Sequence, residues 1–133
     1  MIMIKEDKIS VKDYNYLTEK VDWGTRDAKV VEEALNNTLH SISAYDDDKI
    51  IGYGRIIGDK TIFLYIQDIM VIPEYQGKKI GTQIMNTLLE KITEYKEANP
   101  EIRTYLGASK GKEEFYKKFG FQTRTDADLG GMA

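Results

Sequence analysis

Three short stretches hold residues whose types and spacing could do chemistry. The first is Val71-Ile72-Pro73-Glu74-Tyr75-Gln76-Gly77-Lys78-Lys79-Ile80-Gly81. An apolar strand pattern runs into a glycine-containing loop and then directly into a helix pattern. A helix start leaves N–H groups unpaired and carries partial positive charge. Gly77 and Gly81 let backbone approach an anion closely, and Lys78 and Lys79 add two full charges. Such a junction suits a pyrophosphate. The same glycines also suit a plain turn with close helix packing, and the residues alone leave both readings open. The stretch is neither a Walker A loop nor a G-x-G-x-x-G fingerprint.

The second stretch is Phe115-Tyr116-Lys117-Lys118-Phe119-Gly120-Phe121. Phe115 and Phe119 are spaced to bury together, and Tyr116 lies about 100° around the helix from Phe115. Its hydroxyl could face a cleft, or the ring could simply pack. The third is Gln67-Asp68, inside a run otherwise fit for full burial. Successive strand residues point to opposite faces, so an ionised Asp68 needs a partner or a polar cavity. A structural pair with Arg55 and a functional cleft are both consistent with it.

The elements that must position these residues follow from periodicity. A strand covers Ile2 to Ile4, and Ser10 with Asp13 reads as a capping box. The helix it opens buries Val11, Tyr14, Leu17 and Val21. A second helix from Arg26 to Asn36 buries Val30, Val31, Ala34 and Leu35. Strands at Leu39–Tyr45, Ile50–Ile57 and Thr61–Ile72 are joined by short turns and read as an antiparallel meander. The clearest helix carries Ile80, Ile84, Leu88 and Ile92 and ends before Pro100. Ile102–Leu106 reads as a strand, Lys110–Phe119 as a short helix stopped by Gly120, and Phe121–Thr123 as the start of a last strand. The strand–helix–strand crossover makes its two strands parallel. The fold class expected is α/β (α+β): a mixed, mostly antiparallel sheet flanked by about four helices.

Composition bounds the chemistry. The 133 residues, 41% hydrophobic and 31% charged, suit one globular domain over residues 1–133. With no cysteine and the single histidine His40, thiolate chemistry is excluded and a histidine metal site is disfavoured. No apolar run reaches the roughly 18 residues of a membrane span, and no signal-peptide core stands at the start, so a cytoplasmic location is expected. A net charge of −3 argues against a nucleic-acid partner.

Taken together, the stretch from Ile50 to Phe121 resembles the GNAT superfamily of acetyl-CoA-dependent N-acetyltransferases. The family's [RQ]-x-x-G-x-[GA] motif after a strand ending V-x-P stands here as Gln76 to Gly81 after Val71-Ile72-Pro73, with Lys79 in place of the middle glycine. An F-Y-x-K-x-G-F-like motif stands as Phe115 to Phe121. Ser109 occupies a position where many relatives have asparagine.

The resemblance implies a mechanism. Pantetheine would pair with Ile69, Met70 and Val71 where two strands splay. Pyrophosphate would sit on Gln76, Gly77, Lys78, Lys79, Ile80, Gly81 and Thr82, with Ser109, Phe115 and Lys118 bordering the coenzyme. A backbone N–H near Met70 or Val71 would stabilise the oxyanion. Asp68 would take the amine's proton, directly or through water, with Gln67 positioning the amine. Tyr116 would protonate the departing thiolate. The acceptor pocket would draw on Tyr14, Asp22, Trp23, Tyr53, Arg55 and Tyr65, aromatic rings beside a carboxylate that suit a cation. No metal is called for. The expected function is acetyl transfer from acetyl-CoA to a small-molecule primary amine, by a cytoplasmic enzyme of the kind that often forms a homodimer, with no nucleic-acid or membrane partner. The alternatives are a protein lysine or N-terminal acetyltransferase and a non-catalytic coenzyme A-binding module.

Overall fold

The computed structural model describes residues 1–108 and 111–122. Five strands form one sheet in the order β1 (Ile2–Glu6), β2 (His40–Asp46), β3 (Lys49–Gly58), β4 (Phe63–Val71) and β5 (Arg103–Leu106). The first four pair antiparallel and β4 pairs β5 in parallel. The helices are α1 (Val11–Lys20), α2 (Ala28–Asn36), α3 (Ile80–Ala98) and α4 (Glu113–Lys117). This is the mixed, mostly antiparallel α/β sheet that the meander and the crossover require.

Local chemistry sets the helix starts. Ser10 Oγ accepts the Asp13 N–H at 3.0 Å and Asp27 accepts the Lys29 N–H at 3.1 Å. Each cap satisfies a donor that a helix start leaves orphaned. Tyr14 and Leu17 of α1 and Val31 and Leu35 of α2 are buried. Val30, expected inside, is 56% exposed: it adjoins Val31 around a helix that buries one stripe.

β3 divides the core by strand alternation. Tyr53 faces α1, its ring edge-on to Tyr14 at 6.2 Å. Gly54 faces α3. A methyl group at Gly54 would lie 2.9 Å from Ile84 Cγ2, 3.0 Å from Leu88 Cδ1 and 2.5 Å from Ile69 Cδ1. Glycine there lets α3 lie close on the sheet.

Some elements differ from expectation. β4 begins at Phe63 because Asp59 holds the preceding loop, its carboxylate accepting the N–H groups of Thr61, Ile62 and Phe63. α4 spans only Glu113–Lys117; Gly120, at φ 91°, lies beyond it. Phe121 and Gln122 are not strand. Thr123, with Ser109 and Lys110, lies outside the described residues. None of the described helices is long and apolar enough to cross a membrane.

Candidate active site

The site starts at an irregularity in β4. Tyr53 pairs with Met70 but Arg55 pairs with Gln67. Gly54 therefore faces two residues, Asp68 and Ile69, and β4 carries a bulge. Asp68 is left-handed at φ 60°. Aspartate tolerates that region better than most residues, and bulges re-aim a strand near sites. Sequence periodicity gave no sign of it; the aspartate in an apolar run was the available signal.

On its other edge β4 pairs β5 only from Phe63 to Ile66. Beyond Ile66 and Leu106 the two strands share no register, so the edge of β4 from 67 to 71 is open there. Ile72 donates its N–H to Ile51 of β3 at 2.9 Å. N–H groups alternate sides along a strand, so the Val71 N–H turns to the open edge.

A cleft of about 580 Å³ lies along that edge. Ile69, Met70 and Val71 form one wall, and Gln76, Gly77, Lys79, Ile80, Gly81 and Thr82 form the end at the start of α3. Phe115 and Tyr116 of α4 form the opposite wall, and Trp23 stands on the rim with Asp22. Sequence reasoning missed Lys112, the residue before α4, which also lines the cleft. Nothing in its local pattern set it apart from the other lysines.

The loop between β4 and α3 is tightly held. Gln76 Nε2 donates to the Val71 carbonyl at 2.9 Å, and the Gln76 N–H is spent on the Pro73 carbonyl at 3.2 Å. Gln76 is therefore a brace, and an anion's backbone donors begin at Gly77. The Gln83 N–H bonds the Lys79 carbonyl at 3.1 Å; the N–H groups before it belong to the set a helix start leaves free. Gly77 sits at φ 82° and Lys79 at φ 64°. Lys79 thus adopts the left-handed turn that a glycine would take without strain. Gly81 lies beside the Phe115 ring, which a methyl group at 81 would meet at an ordinary contact distance of 3.5 Å. These features fit a coenzyme A pyrophosphate. Lys78 lies instead over the Tyr75 ring at 5.2 Å, and Lys118 does not line the cleft.

Tyr116 is 6% exposed, and Phe115 meets its ring edge-on at 5.1 Å. Burial alone pushes its phenol up to about 12. Among the described residues no group bonds its hydroxyl.

Other expected site residues lie behind the wall. Asp68 Oδ2 accepts from Arg55 Nε at 2.7 Å and from Tyr14 Oη at 2.8 Å. Arg55 also donates to Thr38 Oγ1 at 3.0 Å, so it is engaged in the fold. Tyr53, expected at the acceptor, is fully buried with its hydroxyl on Ser41 Oγ at 2.7 Å; it is a core residue. Tyr65 stacks on Tyr105 at 6.1 Å, away from the cleft. Gln67 does not line the cleft.

Known proteins share this fold. The family model for the acetyltransferase (GNAT) domain matches residues 11–128. An "uncharacterized N-acetyltransferase ycf52-like" of Prochlorococcus marinus is 31% identical over 109 residues, 79% of this chain. The chain spans 58% of that relative's length. A protein of unknown function from meticillin-resistant Staphylococcus aureus, described as a probable acetyltransferase, superposes with a TM-score of 0.84 at 32% identity, covering 100% of this chain and 98% of that one. Naa50 of Arabidopsis thaliana, solved with the bisubstrate analogue CoA-Ac-MVNAL, shares the fold at a TM-score of 0.70 and 21% identity, covering 90% of this chain and 83% of its own. With its domain match, its splayed strands and its glycine-bearing helix start, this chain belongs to the GNAT family of acetyltransferases.

Proposed function

We propose that this chain transfers the acetyl group of acetyl-CoA to the primary amine of a small molecule, by direct attack of the amine on the thioester. The observation that carries the reading is the cleft that joins the open edge of β4, the start of α3 and Tyr116 of α4.

Each part has a role in this reading. The N–H groups from Gly77 onward, with Lys79 and Lys112, receive the coenzyme's phosphates. The open edge at Ile69–Val71 receives the pantetheine arm. The Val71 N–H receives the negative charge that develops on the thioester oxygen. Asp22 is the one carboxylate on the cleft wall among the described residues, and Trp23 beside it is 44% exposed. Together they draw an alkylammonium to the rim. The amine must lose a proton, from a pKa of about 10.4, before it attacks. Asp68 does not line the cleft and its Oδ2 holds Arg55 and Tyr14, so this proton leaves through water.

Tyr116 donates its O–H to the departing sulfur. A phenol near 12 hands a proton uphill to a thiolate near 8.5. The donation accompanies cleavage of the C–S bond, and the phenolate left behind takes back a proton through the water that receives the amine's.

The test is thiol release from acetyl-CoA in the presence of amines. Small cationic amines should accelerate release, and mass spectrometry should find the acetylated amine. If only peptide amines accelerate release, the acceptor is a protein. Tight acetyl-CoA binding without release on any amine would instead indicate a non-catalytic module.

A further inference from the structure

Asp68 is in left-handed backbone, largely buried, and ties β4 to two other elements at once. Its side chain and that of Arg55 are each 13% exposed. Arg55 reaches it from β3 and Tyr14 from α1. Burial beside the Asp68 charge pushes the Tyr14 phenol up to about 12, so Tyr14 stays a donor at working pH. Arg26, on the segment after Trp23, approaches the Tyr14 hydroxyl at 3.5 Å. That segment is also clamped to α1: Asn15 Oδ1 accepts the Arg26 N–H and Asn15 Nδ2 donates to the Arg26 carbonyl, both at 3.1 Å. The titratable and charged groups facing Asp68 are thus Arg55 and the buried Tyr53 from β3, Tyr14 from α1 and, through Tyr14, Arg26 from the rim segment.

We infer that Asp68 is a positioning residue that locks the β4 bulge and couples it to the acceptor rim, rather than the base that deprotonates the amine. The inference rests on the acetyltransferase reading of the cleft. The two residues after the bulge, Ile69 and Met70, line the thioester wall, and the segment tied through Tyr14 and Arg26 carries Asp22 and Trp23. One carboxylate therefore fixes the relative placement of donor and acceptor. Left-handed backbone at a residue other than glycine persists only where its surroundings hold it, and here the surroundings are these two hydrogen bonds.

Asparagine at 68 separates the two roles. Its amide oxygen still accepts from Arg55 and Tyr14, but it cannot act as a base. Transfer kinetics should be measured for wild type, Asp68→Asn, Asp68→Ala and Tyr14→Phe across pH. Asp68→Ala should lower kcat on the order of 10²-fold, the cost of a misplaced reacting geometry, with little change in the KM for acetyl-CoA. Asp68→Asn should recover most of that loss, and Tyr14→Phe should fall between them. The pH profiles of all four should stay parallel. Asp68→Asn as inactive as Asp68→Ala, with the rising limb of its profile lost, would make Asp68 the base and overturn the inference, as would full activity in Asp68→Ala. If Asp68→Ala does not fold, Asp68→Asn and Tyr14→Phe decide by the same criteria. If wild type acetylates no amine, the function reading fails separately. Hydrogen exchange at the Met70 and Ile72 amides, which face β3, then tests the lock, with faster exchange expected in Tyr14→Phe and unchanged exchange contradicting it.

Discussion

In the proposed reaction two residues matter most. Tyr116 lines the cleft, is buried, raised to about 12 and free of partners among the described residues, so it stays a donor at any working pH. Tyr116→Phe removes that donor with little change in packing. It should lower kcat by roughly 10²–10⁴-fold, the usual contribution of one acid–base group, and leave acetyl-CoA binding intact; unchanged kcat would remove Tyr116 from the mechanism. Because the phenol titrates so high, kcat/KM should climb with pH as the acceptor amine loses its proton, with no fall from Tyr116 below about pH 11. A descending limb near pH 9 would point to a different acid. Lys79 is the other decisive residue. A left-handed residue with a side chain costs roughly 1–2 kcal/mol, partly offset by the entropy that a glycine loses on folding. Lys79→Gly should therefore raise Tm by a few degrees. Its binding of acetyl-CoA, compared with wild type by calorimetry, shows whether the lysine charge outweighs a closer backbone approach.

At the scale of elements, the site depends on how closely α3 lies against the sheet and on where β4 bends. Gly54 sits under both. A methyl group there meets Ile69, Ile84 and Leu88 at 3.0 Å or less. Gly54→Ala should cost about 1–3 kcal/mol by overpacking, measured by urea unfolding, and should also disturb the thioester wall through Ile69. Unaltered stability would show that α3 can shift without cost. The parallel β4–β5 pair stops at Ile66 and Leu106, which opens the edge that the donor needs. A crossover helix enforces that parallel pair, and the apolar stripe Ile80, Ile84, Leu88 and Ile92 made the helix readable before any coordinates.

For the whole molecule, the sheet order, the crossover and the glycine-bearing helix start were legible because each rests on local periodicity or a turn residue. The bulge was not, since it lies in how β4 pairs with β3 and in the tertiary contacts of Asp68 with Arg55 and Tyr14. The burial of Tyr53 was hidden for the same reason: only the packing of α1 over β3 decides which tyrosine meets solvent. That packing has a consequence for stability. Burial raises Tyr14, Tyr45, Tyr53 and Tyr116 to about 12 each. Their ordinary value is about 10, so the unfolded chain releases these protons first as pH rises. The stability they contribute is fully present below pH 10 and lost between about 10 and 12. Melting followed across that range should show a cooperative alkaline fall; a flat profile would mean that the phenols are more hydrated than their packing implies.

Calorimetric titration of acetyl-CoA into the wild-type chain tests the central claim most directly. The account predicts saturable one-site binding in the micromolar range, weakened by Gly81→Glu, which places a carboxylate at the start of α3. Absence of binding at millimolar acetyl-CoA, or binding indifferent to Gly81→Glu, would contradict it.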